Sequence, residues 1–135
     1  MATLTPTLTL TEATPLGSVA TSFTVTDILT TAAPSIGLTR CSSAVDFGDG
    51  AGVLIPEENA TVCYVYIKHL GTLASNGATS TTNLVTVDCD DADAGMRLTL
   101  AATEFAFFPL TASEGLKVAA ATAAVNIEFA YWSKG

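Results

Sequence analysis

Positive charge is scarce in this 135-residue chain: five Lys and Arg stand against thirteen Asp and Glu, and charged residues make up only 13 %. Holding phosphates takes clustered cations, so a net charge of −8 excludes nucleic acid as a partner. Histidine occurs once, as His69, which excludes a zinc hydrolase centre built on several imidazoles. Any Ser- or Cys-based catalytic group would have to be assembled around that one ring, which reads instead as a strand histidine at an edge or interface. Cysteine is limited to Cys41, Cys63 and Cys89, an odd number at wide spacing that fits neither a disulfide framework nor a zinc site. They read as buried free thiols, with one disulfide and a spare cysteine as the alternative. Long hydrophobic runs are lacking, so no membrane-spanning helix is expected. The start, Met1-Ala2-Thr3-Leu4-Thr5-Pro6, has no basic segment of the secretory kind, which predicts synthesis in a cytoplasm. Disorder is excluded too, because 49 % of the residues are hydrophobic.

What is abundant is threonine and alanine, 22 of each. Threonine prefers strands, and alanine there makes thin packing layers. Alternation with period two recurs in Leu4-Leu8-Leu10 among threonines, in Ser22–Thr26, Thr61–Leu70, Leu84–Val87, Met96–Leu100, Glu104–Leu110 and Ala124–Trp132. Turn chemistry separates these runs at Pro15-Leu16-Gly17, Ala32-Ala33-Pro34-Ser35, Phe47–Gly52 and Pro56–Asn59, and Gly71–Thr82 reads as a long exposed loop. The chain is expected to be all-β: one β-sandwich domain over 1–135, jelly-roll-like, with eight to ten short antiparallel strands and residues 1–14 as an extended N-terminal arm.

Chemistry-bearing motifs are few. Asp88-Cys89-Asp90-Asp91-Ala92-Asp93 places four carboxylates in six residues. A solvated turn is the first reading; calcium held by Asp88, Asp90, Asp91 and Asp93 is the second, without the glycine and distal glutamate of an EF-hand loop. Gly48-Asp49-Gly50-Ala51-Gly52 lacks the Lys-Ser/Thr ending of a phosphate loop and reads as a turn. No enzyme and no cofactor are expected. The aromatic residues carry more information. Alternation cannot bury Phe107 together with Phe108, or Tyr131 together with Trp132, and Tyr64 and Tyr66 pose the same question. An interface is therefore expected at Leu4, Leu8, Leu10, Tyr64, Tyr66, Phe108 and Trp132.

Glu104-Phe105-Ala106-Phe107-Phe108-Pro109-Leu110, Gly115-Leu116-Lys117-Val118 and Val125–Trp132 together resemble the end of small virion structural proteins of tailed bacteriophages. The resemblance covers about 30 residues and is a strand pattern, not a catalytic signature; the acidic, Thr/Ala-rich composition is similar to that of capsid decoration (cement) proteins and fibre modules. It implies a structural virion protein on the outer capsid surface, binding the major capsid protein and itself as a homo-oligomer, a trimer by family habit. Its alternative is a tail-fibre module that recognises a host glycan through Gly71–Thr82. A calcium-dependent lectin-like or hydrolase-like sandwich using Asp88–Asp93 is the third reading.

Overall fold

The computed structural model describes residues 2–12, 22–44, 51–56, 62–89, 97–112 and 114–135. Among the described residues the regular elements are all strands: β1 (Ala2–Leu4), β2 (Thr7–Thr11), β3 (Ser22–Thr26), β4 (Leu29–Ser42), β5 (Val53–Ile55), β6 (Cys63–Leu73), β7 (Val85–Asp88), β8 (Arg97–Leu100), β9 (Phe105–Leu110), β10 (Leu116–Ala120) and β11 (Val125–Lys134). The turns expected at 15–17, 47–50 and 57–59 lie outside the described residues. The chain divides into two compact units, Met1–Ala32 with Gly135, and Ala33–Lys134.

The second unit is an antiparallel β-sandwich. One sheet runs β4-β11-β6-β9 and the other β5-β10-β7-β8. Period-two alternation decides what lies between them. On β6, Cys63, Val65, Ile67 and His69 are buried, while Tyr64, Tyr66, Lys68 and Leu70 are half-buried on the opposite face. On β11 the inward set is Val125, Ile127, Phe129, Tyr131 and Ser133, and Phe129 sits level with Ile67. The second sheet answers with Ile55, Val85, Val87, Leu100, Leu116 and Val118. Fully burying one such side chain is worth about 1.5–3 kcal/mol, so this layer dominates the stability of the unit.

The first unit holds β1, paired with Leu29–Thr31 at the start of β4, and a two-stranded hairpin of β2 and β3. Pro6 splits the N-terminal run into β1 and β2, because proline has no N–H to give a ladder. Its carbonyl instead accepts the N–H of Asp27 and closes the base of the hairpin.

Two segments depart from expectation. The loop expected at Ala32–Ser35 is part of the continuous strand β4, because the Pro34 carbonyl accepts the Ser133 hydroxyl and the Ser35 hydroxyl accepts the Ser133 N–H at 3.3 Å. Side chains here supply what a proline takes from the ladder. The long exposed loop expected at Gly71–Thr82 is instead tied down. β6 runs on to Leu73, Thr72 bridges Ser80, and Asn76 Oδ1 accepts the N–H groups of Ala78 and Thr79. The described residues hold eleven strands where eight to ten were expected, and the split at Pro6 adds one of them.

Gly52 ties the second sheet together. Its φ of +85° is a glycine conformation, its carbonyl accepts the Val118 N–H at 2.8 Å, and a Cβ placed there would lie 2.1 Å from the Val118 carbonyl oxygen. Gly52→Ala is expected to lower the unfolding free energy by about 2–4 kcal/mol. Gly37→Ala, where an added Cβ meets nothing within 4 Å, should stay within about 0.5 kcal/mol. Urea denaturation of the two variants side by side checks the contrast.

Candidate functional site

Two surfaces of different chemistry stand out, one in each unit. In the sandwich it is the outer face of the sheet β4-β11-β6-β9. Antiparallel register sets Tyr64 level with Trp132 and Pro109, Tyr66 with Ala130 and Phe107, and Lys68 with Glu128 and Phe105. These side chains share one face because residues directly opposite in a ladder point the same way. Tyr64 and Phe107 lie parallel, centroids 6.3 Å apart and planes 8° apart, and Tyr66 and Phe105 are tilted at 6.4 Å. Phe105 remains 56 % exposed and Phe107 40 %. Lys134 Nζ stands 5.6 Å from the centre of the Tyr64 ring, a cation–π contact.

A carboxylate sits among the rings. Glu128 is on the central strand β11, where neighbouring strands cover it to 7 % exposure, and a charge so placed needs donors. Arg40 Nε donates to Oε2 at 2.9 Å, and the Tyr66 hydroxyl donates to Oε1 at 3.2 Å. The Arg40 hydrogen bond leads the effects that hold the Glu128 carboxyl below its usual 4.5, with Tyr66 and the charges of Arg40 and Lys68 adding to it against the opposing effect of burial. Burial first, and then the Glu128 charge, pushes the Tyr66 phenol up. Both Glu128 oxygens are engaged, so the group orients Arg40 and Tyr66 on the face. Beyond Arg40 the face opens into a groove of about 630 Å³ over Leu70, with Ser42, Thr72 and Asn126 around it.

In the first unit the surface is the hairpin. All ten residues of β2 and β3 are exposed. Leu8 faces Val25 and Leu10 faces Phe23 across the ladder, and these four apolar side chains are 43–55 % exposed. The other face is a hydroxyl ladder, in which Thr7 bonds Thr26 and Thr9 bonds Thr24, each at 3.1 Å.

The sequence-expected sites distribute as follows. Leu8 and Leu10 lie on the hairpin's apolar face; Leu4 is half-buried opposite Leu29 in β1. Tyr64, Tyr66 and Trp132 lie on the outer sheet face. Phe108 does not join them: it stands opposite buried Val65 and packs against the core, and Phe105 and Phe107 are the outward rings. Tyr131 is buried where its neighbour Trp132 is not, as alternation requires. Phe23, Val25, Arg40 and Glu128 were missed; the match of Leu8-Thr-Leu10 with Phe23-Thr-Val25 was the available signal for the first two.

His69 is neither at an edge nor at an interface. β6 lies between β11 and β9, and the ring is wholly buried, its Nδ1 accepting the Gly71 N–H at 2.8 Å and its Nε2 donating to the Asn83 carbonyl at 2.9 Å. With both nitrogens spent, it holds the Gly71 turn. All three cysteines are free, and burial pushes the Cys41 and Cys63 thiols up to about 11, leaving them protonated at neutral pH. Of the acidic run, Asp88 takes two bonds from Arg97, at 3.0 and 2.7 Å, and caps the Cys89 N–H. Asp90, Asp91 and Asp93 lie outside the described residues, and among the described residues no cluster of three metal-ligating side chains occurs. Comparison with known families, characterised proteins and solved structures finds no match to this chain.

A carboxyl held below its unfolded value stabilises the fold at neutral pH and loses that contribution as pH falls through the carboxylate range. Glu128→Gln is therefore expected to cost about 1–3 kcal/mol at pH 7 and to flatten the loss of stability between about pH 5 and 3. Denaturant midpoints measured across that range check it. His69→Leu, which orphans the Asn83 carbonyl and the Gly71 N–H, should cost about 2–4 kcal/mol by the same measurement.

Proposed function

We propose that this chain is a structural virion protein of a tailed bacteriophage, a capsid decoration protein that binds the major capsid protein on the outer shell as a homo-oligomer, in the family's manner a trimer. It acts by assembly and not by catalysis. The observation that carries the reading is the amphipathic hairpin Thr7–Thr11 with Ser22–Thr26, apolar on one face and exposed throughout. A two-stranded hairpin is marginally stable in water by itself. Four apolar side chains side by side on it gain stability when a partner covers them, at about 25 cal/mol per Å². The strand pattern of Glu104–Trp132, which resembles small phage virion proteins, supplies the kind of partner. The linkage is mass action: a protein that binds the assembled shell and not its dissociated subunits stabilises the shell.

The test mixes undecorated shells with the wild-type chain and with Leu10→Ser/Phe23→Ser. The wild type is expected to bind saturably and to raise the temperature at which shells disrupt. The double variant should bind about 10–100-fold more weakly with its sandwich unfolding transition unchanged. Wild-type protein that ignores shells, and labels tails in immunogold images, transfers the chain to the tail-fibre reading. Equal shell binding by the variant removes the hairpin from the contact.

A further inference from the structure

The groove beyond Arg40 is built largely from polar side chains of three neighbouring strands. Arg40 and Ser42 come from β4, Asn126 from β11, and Leu70 and Thr72 from β6. Their hydrogen-bonding capacity is only partly used inside the fold. Arg40 gives its Nε to Glu128, and among the described residues its two Nη groups meet no acceptor, on a side chain 74 % exposed. Ser42 Oγ accepts the Ala44 N–H and Thr72 Oγ1 accepts Asn126 Nδ2, which leaves each hydroxyl its own proton to donate. Asn126 Nδ2 also donates to the Leu73 carbonyl at 3.1 Å, so the amide is fixed in orientation while its Oδ1 has no partner among the described residues. None of their unpartnered side-chain oxygens and nitrogens is buried, so that Oδ1 lies at the surface.

We infer that this groove binds a sugar acid, a hydroxylated ring that carries one carboxylate. The inference goes beyond the shell contact and does not rest on it. A guanidinium fork matches a carboxylate with paired N–H bonds, and the Nη groups are the part of the fork that Glu128 leaves open. Charge sets the number of carboxylates. Arg40 and Lys68 flank Glu128, two cations to one carboxylate, so the local sum is +1. That suits a single carboxylate better than a doubly charged phosphate, on a chain of net charge −8. Ser42 and Thr72 supply donors and Asn126 Oδ1 an acceptor for ring hydroxyls, while half-buried Leu70 offers apolar surface to the ring's C–H face. The volume of about 630 Å³ falls within the roughly 300–1,000 Å³ of small-ligand sites. Glu128 readies the site, because a guanidinium already held in place costs less to order when the ligand arrives.

Amide NMR spectra of the full chain test this, titrated at constant ionic strength with sodium glucuronate, sodium N-acetylneuraminate, glucose and sodium acetate. At least one of the two sugar acids is expected to saturate with a Kd of about 0.1–5 mM, with shifts concentrated at Ser42, Thr72 and Asn126. Which of the two it is separates uronic from sialic acid sources. Glucose lacks the carboxylate and acetate lacks the ring, and each should bind about tenfold more weakly or worse. Arg40→Lys keeps a cation beside Glu128 but loses the fork, and should weaken binding about tenfold. Thr72→Val should weaken it about threefold, and both variants should keep the wild-type circular dichroism. Thr99→Val, at an exposed threonine of β8 in the other sheet, should stay within about twofold. Absence of a saturable shift from either sugar acid up to about 20 mM overturns the inference. So does glucose or acetate binding as tightly as the sugar acid, or binding that the groove variants leave intact. Should Arg40→Lys fail to fold, Thr72→Val against Thr99→Val decides.

Discussion

The central strand β6 is largely apolar on both faces, β11 sets Ala130 and Trp132 among the polar residues of its outer face, and a sandwich buries only one face of each. That constraint governs the rest of the molecule. Cys63, Val65, Ile67, Ile127, Phe129 and Tyr131 go inside, so the intervening Tyr64, Tyr66, Ala130 and Trp132 must go outside. Within one chain the outer set covers itself in part, by ring-to-ring contact with β9 and by Lys134 Nζ over the Tyr64 ring. Ala130 reaches 0 % exposure on that side. The rings of Phe105 and Phe107, on the edge strand, are left uncovered.

The same constraint accounts for Glu128. A carboxylate in the middle of a central strand would ordinarily be a defect, and it is tolerated because Arg40 and Tyr66 reach it from the strands on either side. Removing one partner from such an arrangement costs far more than its net contribution, since the remaining charge stays desolvated. The arrangement fixes where Arg40 and Tyr66 stand more than it strengthens the fold. A buried acid here is thus a device for orienting surface groups, the use to which polar groups in sheets are best suited when every atom is satisfied.

How much of this was legible beforehand depended on whether the deciding contact was local. The all-β sandwich followed from alternation and turn residues, which are local, and period two separated the two faces of β6 and of β11, although β6, largely apolar on both, did not show which one goes inside. Tyr131 inward and Trp132 outward is that rule at work. Phe108 was not decidable the same way, because Phe105-Ala-Phe-Phe-Pro-Leu is apolar in both parities, and its direction is set by the pairing with Val65, 43 residues earlier. Pro34 reads locally as a breaker, and the hydroxyl of Ser133 that keeps the strand whole is 99 residues away. Gly71–Thr82 looked like free loop because its composition is that of a loop; Asn76, closing the turn on Ala78 and Thr79, was a local signal open to being read. Arg40 and Glu128, 88 residues apart, carried no sequence signature at all.

The two exposed surfaces differ in what they can discriminate. The hairpin offers four aliphatic and aromatic side chains and a row of hydroxyls, with no charge on either strand. Such a surface gains free energy in proportion to area covered and rejects little, so its selectivity has to come from the shape of what receives it. The sheet face offers rings, three cations and one fixed carboxylate, on a chain whose net charge is −8. Such a surface rejects cationic partners and its own like by charge, and it selects acidic ones at encounter. A molecule with one of each can use the first for affinity to a preformed apolar recess and the second for choosing its neighbour. Exchanging the roles would fail on physical grounds, since an uncharged hairpin cannot distinguish a copy of itself from any other apolar surface, whereas a charged face can.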